Sequence, residues 1–329
     1  MKTHNRITMA TVLTLCLLIS GFVTGQSYQF KPEWKEGETK IMIKHQVFKK
    51  YEQGELIQED EQTLDNPQVI EVLKNTPEYL EVVLKTDMAE FEEIFVLLEK
   101  MNKEIDFPEQ LQINYRINKE NAELEVLNKS ELFTSYNNKI DTLKNQNEQQ
   151  FMMIKTLFGG VFDSFISLFA SETAFEKALT DKIDPLIIPY KNTYQPGDTL
   201  ITEEVIDNPL VPDEKIVTTL STTFDSSGED HHVYQITNNY NIDPKVIKDA
   251  LINMMKSMME SFGADAETVE ENIKPLREAE ISYHIHQTIF FDSQTNWVKS
   301  IVTIYRNSMV DPQTGNPYET EMIETISFQ

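Results

Sequence analysis

The chain has 329 residues, a formal net charge of −25 and a hydrophobic content of 40%. Such an acidic chain lacks the clustered Lys and Arg that nucleic acid requires, and anionic membrane surfaces repel it. Ten glycines and 13 prolines exclude a low-complexity chain.

The first 25 residues read as a secretory signal peptide. Lys2 and Arg6 form the basic start, Ile7 to Ile19 the apolar run, and Val23 and Gly25 the small-residue exit, with the cut at Gly25/Gln26. Export to the periplasm or the outside follows. Removing the two positive charges of Lys2 and Arg6 takes the chain from −25 to −27. Cleavage also removes Cys16, the single cysteine, and with it any disulfide, thiol nucleophile or Cys-ligated metal. Lipid attachment at Cys16 is disfavoured by Leu15 before it and Leu17-Leu18-Ile19 after it. An uncleaved anchor is the remaining alternative, since Ile7 to Val23 only just reaches spanning length. Beyond the leader, about 300 residues allow one large domain or two of ordinary size.

After the leader, Gly37-Glu38-Thr39 opens a long strand, Lys40 to Tyr51, with Gly54 in the following turn. Tyr79 to Val83 is a second strand. Asp87, with Glu90 three residues on, caps a helix whose Phe91, Ile94, Phe95, Leu98 and Met101 recur at helical spacing. Ile113 to Ile117 resumes strand character, within a hairpin from Arg116 to Leu127. A helical insert follows from about Glu131, carrying a stripe of Phe151, Phe158, Phe162, Phe165 and Phe169. Past the insert, Gly197-Asp198-Thr199 opens another strand, Ile216 to Phe224 and Val233 to Tyr240 pair about a turn, and Asp243-Pro244 starts a helix. Its apolar face holds Ile247, Leu251, Met254, Met255, Met258 and Met259, and Gly263 ends it. A short helix from Asp265 stops at Pro275. Hairpins then close the chain, His284 to Arg306 about Asp292–Asn296 and a last one about Asp311–Gly315.

Several of these patterns occur twice in the same order. Gly37-Glu38-Thr39 matches Gly197-Asp198-Thr199, Tyr79 matches Tyr234, Asp87 matches Asp243, and Ile113 matches Ile281. The expected fold class is therefore α+β: two related halves of antiparallel sheet plus helix, residues 26–130 and 191–329, joined by a helical insert at 131–190. The two halves are expected to share one core, because either alone would leave the insert's apolar face exposed.

Candidate chemistry is sparse. His231, His232, His284 and His286 form the one metal-hydrolase constellation to consider. Residues two apart on a strand share a face, so His284 and His286 are the better pair, but His231 and His232 point to opposite faces if extended. Asp225, Glu229 and Asp230 do not match the spacing of a calcium loop. None of G-x-S-x-G, H-E-x-x-H, G-x-x-x-x-G-K-[ST] or G-x-G-x-x-G occurs. No catalytic residue, cofactor or metal is expected. The Phe stripe and the Met cluster remain, with core packing as the plain reading. The functional reading is a ligand pocket lined by Phe158, Phe162, Phe165, Met254, Met255 and Met258, since unbranched Met adapts to varied ligands and Phe supplies large apolar area.

The signal ending in Gly-Gln, the Lys35-Glu36-Gly37-Glu38-Thr39 opening and the duplicated strand–helix–hairpin plan resemble uncharacterised exported proteins of Bacteroidota. The plan is also similar to periplasmic lipoprotein carriers of the half-barrel type. That resemblance implies an exported, non-enzymatic protein that holds a lipid or other hydrophobic ligand in an apolar concavity. A protein partner or an assembly role in the cell envelope is the alternative, and no membrane span is expected after cleavage.

Overall fold

The computed structural model describes residues 27–63, 68–86, 110–146, 148–149, 151–153, 166, 169–207, 215–226, 232–261, 265–310 and 314–329. The protein is α+β and mostly antiparallel sheet. Strands β1 (Tyr28–Gln29), β2 (Thr39–Glu52), β3 (Glu55–Thr63), β4 (Gln68–Asn75), β5 (Tyr79–Thr86), β6 (Leu111–Asn118) and β7 (Leu124–Val126) come first. Helices α1 (Lys129–Gln146), α2 (Glu172–Asp181) and α3 (Asp184–Lys191) follow, then β8 (Thr193–Tyr194), β9 (Thr199–Asp207), β10 (Lys215–Ser226) and β11 (Val233–Asn241). Helices α4 (Pro244–Ser261) and α5 (Ala266–Glu278) precede β12 (Glu280–Asp292), β13 (Trp297–Val310) and β14 (Pro317–Phe328). The leader and the Asp87 helix lie outside the described residues. Among those residues, no helix is long and apolar enough to cross a membrane.

One antiparallel sheet runs in the order β7-β6-β5-β4-β2-β14-β13-β12-β11-β10-β9. The first and last strands of the chain's sheet region meet at its centre, where Met42 pairs with Phe328 and Phe48 with Met322. β3 and β4 share one edge of β2: His45 is opposite Thr63, and Met42 is opposite Gln68. Alternation decides which face is covered. In β6, Leu111, Ile113, Tyr115 and Ile117 are buried, and Gln112, Asn114, Arg116 and Asn118 alternate with them. The buried phase packs under the insert, and the Tyr115 hydroxyl donates to the Leu179 carbonyl of α2 at 2.6 Å.

Two apolar clusters occupy the covered face. The larger joins β4–β6 to α1–α3 and reaches Phe224, Ile236, Ile289 and Ile301. The smaller seats Ile247 of α4 against Ile216 and Ile281, with Tyr283, Ile285 and Met309 beside them.

Helix starts agree with their sequence signals. Asp243 Oδ1 accepts from Lys245 N at 2.8 Å, and Asp265 Oδ1 accepts from Thr268 N at 2.8 Å. The expected stop at Pro275 is corrected, because α5 continues to Glu278 with Pro275 inside it. Proline there forfeits only its own donor, and its carbonyl still accepts from Ala279 N at 2.9 Å. The insert is also longer than expected at its start, since α1 begins at Lys129.

Gly37 and Gly197 hold φ of +78° and +80°, so both sit in the left-handed region. Gly37 N donates to Val72 O at 2.9 Å, and Gly197 N donates to Phe224 O at 3.2 Å. Open space surrounds both Cα atoms, so an added methyl meets strain in the backbone alone. Gly37→Ala and Gly197→Ala are each expected to cost about 1 kcal/mol, read as a lower urea midpoint with an unchanged slope.

Candidate functional site

The expected site residues are widely placed. Phe158, Phe162, Phe165 and His231 lie outside the described residues. Met254 is exposed on α4 and Met255 half-buried, and Met258 falls within the span of the same helix. His284 and His286 do share one face of β12, the face away from the helices. His232 does not join them. Val233 pairs with Asp292 and Asn241 with His284, so His232 and His284 stand at opposite ends of β12. Their separation is about 25 Å along the strand. His286 is already engaged, with Nδ1 at 2.7 Å from Asn239 Oδ1 and Nε2 at 3.2 Å from the Thr288 hydroxyl. Among the described residues, no three His, Cys, Asp or Glu side chains are grouped to hold a metal.

The covered face holds a feature that no single strand reveals. Each of five neighbouring strands carries one polar residue between two apolar ones in its inward phase. These are Leu220-Thr222-Phe224, Ile236-Asn238-Tyr240, Ile285-Gln287-Ile289, Ile301-Thr303-Tyr305 and Met322-Glu324-Ile326, read at alternate positions. The register lines the five polar residues into one row across the sheet: Thr222 opposite Asn238, Asn238 opposite Gln287, Gln287 opposite Thr303, and Thr303 opposite Glu324. Gln46 of β2 extends the row beyond Glu324. The row separates the two apolar clusters.

Burial makes this row costly unless its groups find partners. Asn238 is 2% exposed and Thr303 5%. The Thr222 hydroxyl donates to Asn238 Oδ1 at 2.8 Å, and Asn238 Nδ2 donates to Gln287 Oε1 at 3.1 Å. From the other side, Gln46 Nε2 donates to Glu324 Oε2 at 2.9 Å, and Lys44 Nζ lies 2.5 Å from the same oxygen. Tyr305 borders the row. Burial, followed by the charge of Glu324, pushes its phenol well above the ordinary value, so it is neutral across physiological pH.

A groove of about 320 Å³ opens over this row, between the sheet and the α2–α3 corner. Gln287, Thr303, Glu324 and Lys44 line its polar floor, and Met42, Ile301 and Ile326 its apolar strip. Ala178, Asp181, Lys182 and Pro185 form the helical wall. Gln68 also lines it, with a buried Oε1 that has no hydrogen-bond partner among the described residues. The volume lies at the lower end of what small-molecule sites use. Among the described residues that line the groove, no nucleophile is paired with a base; what they offer is hydrogen-bonding groups beside an apolar strip. The available sequence signal was one polar residue interrupting each apolar phase, repeated five times.

No family model matches the chain, and no curated protein matches it.

Proposed function

We propose that this is an exported, non-enzymatic binding protein whose groove between sheet and insert holds a small amphipathic ligand. The observation that carries the reading is the buried polar row opening into a groove that also has an apolar strip. A groove for a purely hydrophobic ligand would cover the Thr303 hydroxyl and the second carboxylate oxygen of Glu324 and offer neither a polar partner. An amphipathic ligand covers Ile301, Ile326 and Met42 and still meets polar partners. Export rests on residues 1–25 of the sequence, and the reading as two related halves is part of the same proposal. The matched Gly37 and Gly197 turns support the duplication. So does the shared plan in which β5 and β6, like β11 and β12, are sheet neighbours on either side of a long intervening segment.

The test is titration with a neutral, environment-sensitive probe such as N-phenyl-naphthylamine. Wild type is expected to give a saturable fluorescence increase that Ala178→Trp abolishes by filling the groove, with the circular dichroism spectrum retained. No saturable binding, or equal binding by both proteins, overturns the proposal.

A further inference from the structure

We infer that the ligand presents a secondary amide to the centre of the polar row; this rests on the groove being a binding site. The hydrogen bonds of the row run inward from both ends and stop at its middle. Gln287 spends its carbonyl oxygen on Asn238 and keeps its Nε2 donors. Glu324 receives Gln46 and Lys44 on Oε2 and keeps Oε1 as an acceptor. Thr303 stands between them in register, 5% exposed, and its hydroxyl makes no hydrogen bond among the described residues. The gap therefore reads donor, hydroxyl, acceptor across three adjacent strands.

Gln287 and Glu324 stand two strand spacings apart, about 10 Å between backbones. A trans amide offers its carbonyl oxygen on one side and its N–H on the other. Laid along the row, it accepts from Gln287 Nε2 and donates to Glu324 Oε1, completing the ladder. A carboxylate has no donor and would face Glu324 with like charge. An ester has the same shape as the amide but lacks the N–H. An aliphatic arm on the acyl carbon would lie along Ile301 and Ile326, the apolar strip beside the row. The ligand class is thus a small N-acyl amide.

The experiment compares N-methyloctanamide, methyl octanoate and octanoate by displacement of the fluorescent probe. The amide is expected to bind about tenfold more tightly than the ester, as for one hydrogen bond to a charged acceptor, and octanoate least well. Thr303→Val, which keeps shape, is expected to weaken amide and ester together. Glu324→Leu is expected to erase the difference between them while the probe still binds. If wild type takes the probe but binds amide and ester equally, or prefers octanoate, the amide inference falls and the groove proposal stands. If neither probe nor ligands bind, both fall.

Discussion

Above about pH 10, the fold is expected to unravel cooperatively, driven by its own tyrosines. Burial is the first cause of the shift at Tyr115, Tyr190, Tyr194, Tyr240 and Tyr305. Tyr194 and Tyr240 are pushed up to about 12 from an ordinary 10.0, and the other three further. The sign follows from which state releases the proton first. Below the unfolded value both states are neutral and the contribution is fully present. Above it the unfolded chain ionises while the folded phenols cannot, so stability falls until the folded value is passed. A shift of two units corresponds to about 2.7 kcal/mol for one group. Several such groups together are comparable with the ~5–15 kcal/mol that holds an ordinary domain. A pH titration followed by tyrosinate absorbance and far-ultraviolet circular dichroism checks this. The two signals are expected to move together between about pH 10 and 12, with the buried phenols ionising only as the sheet is lost. Ionisation of all 12 tyrosines with the strand signal intact would contradict the burial of these five side chains.

Parts of this architecture were legible in the chain because their cause is local. An aspartate before a helix caps its own backbone, so Asp243 and Asp265 announced α4 and α5. The alternation of Ile113, Tyr115 and Ile117 announced β6, because each side chain answers only to the face it meets. β3 was invisible for the opposite reason: all nine of its residues are exposed, so no apolar phase marks it, and it is a strand because β2 offers an edge. The polar row was hidden differently. Gln287 between Ile285 and Ile289 is an unremarkable interruption within one strand. It becomes part of a polar row only when the register sets Asn238 on one side and Thr303 on the other, and register is a property of strand pairs. The ligand proposed for the groove differs from the one the Phe and Met faces suggest. Those faces point to a purely apolar container, whereas the groove is floored by side chains that ask for a polar group.

Trp34→Ala is expected to cost about 3–5 kcal/mol, more than any other single substitution considered for this chain. Trp34 belongs to no strand or helix, yet it is fully buried and stacks on Trp297 with ring centres 3.9 Å apart and planes 6° from parallel. Its indole N–H donates to the Tyr190 hydroxyl at 3.0 Å and to the Asn296 carbonyl at 2.6 Å. Its carbonyl accepts from Asn75 Nδ2 at 2.6 Å, and Asn75 Oδ1 accepts from the buried Lys119 ammonium at 2.6 Å. The indole thus fastens the segment before β2 to α3 and the β12–β13 turn, while the main-chain carbonyl of the same residue ties it to the end of β4 and, through Asn75, to the β6–β7 turn. Truncation empties the volume beside Trp297 and removes the indole donor from Tyr190 and Asn296. Trp34→Phe separates the two effects, since it keeps an aromatic face and loses the donor; about 1–2 kcal/mol is expected. Because the rings touch, Trp34→Ala and Trp297→Ala together should cost less than their sum. Urea unfolding measures all four variants, provided the slope is constant across the set. A loss below about 1 kcal/mol for Trp34→Ala would mean that the segment before β2 is carried by the sheet rather than fastening it. The amide proposal does not depend on that result, because the polar row is ordered by the β10–β14 register and contains no partner of Trp34.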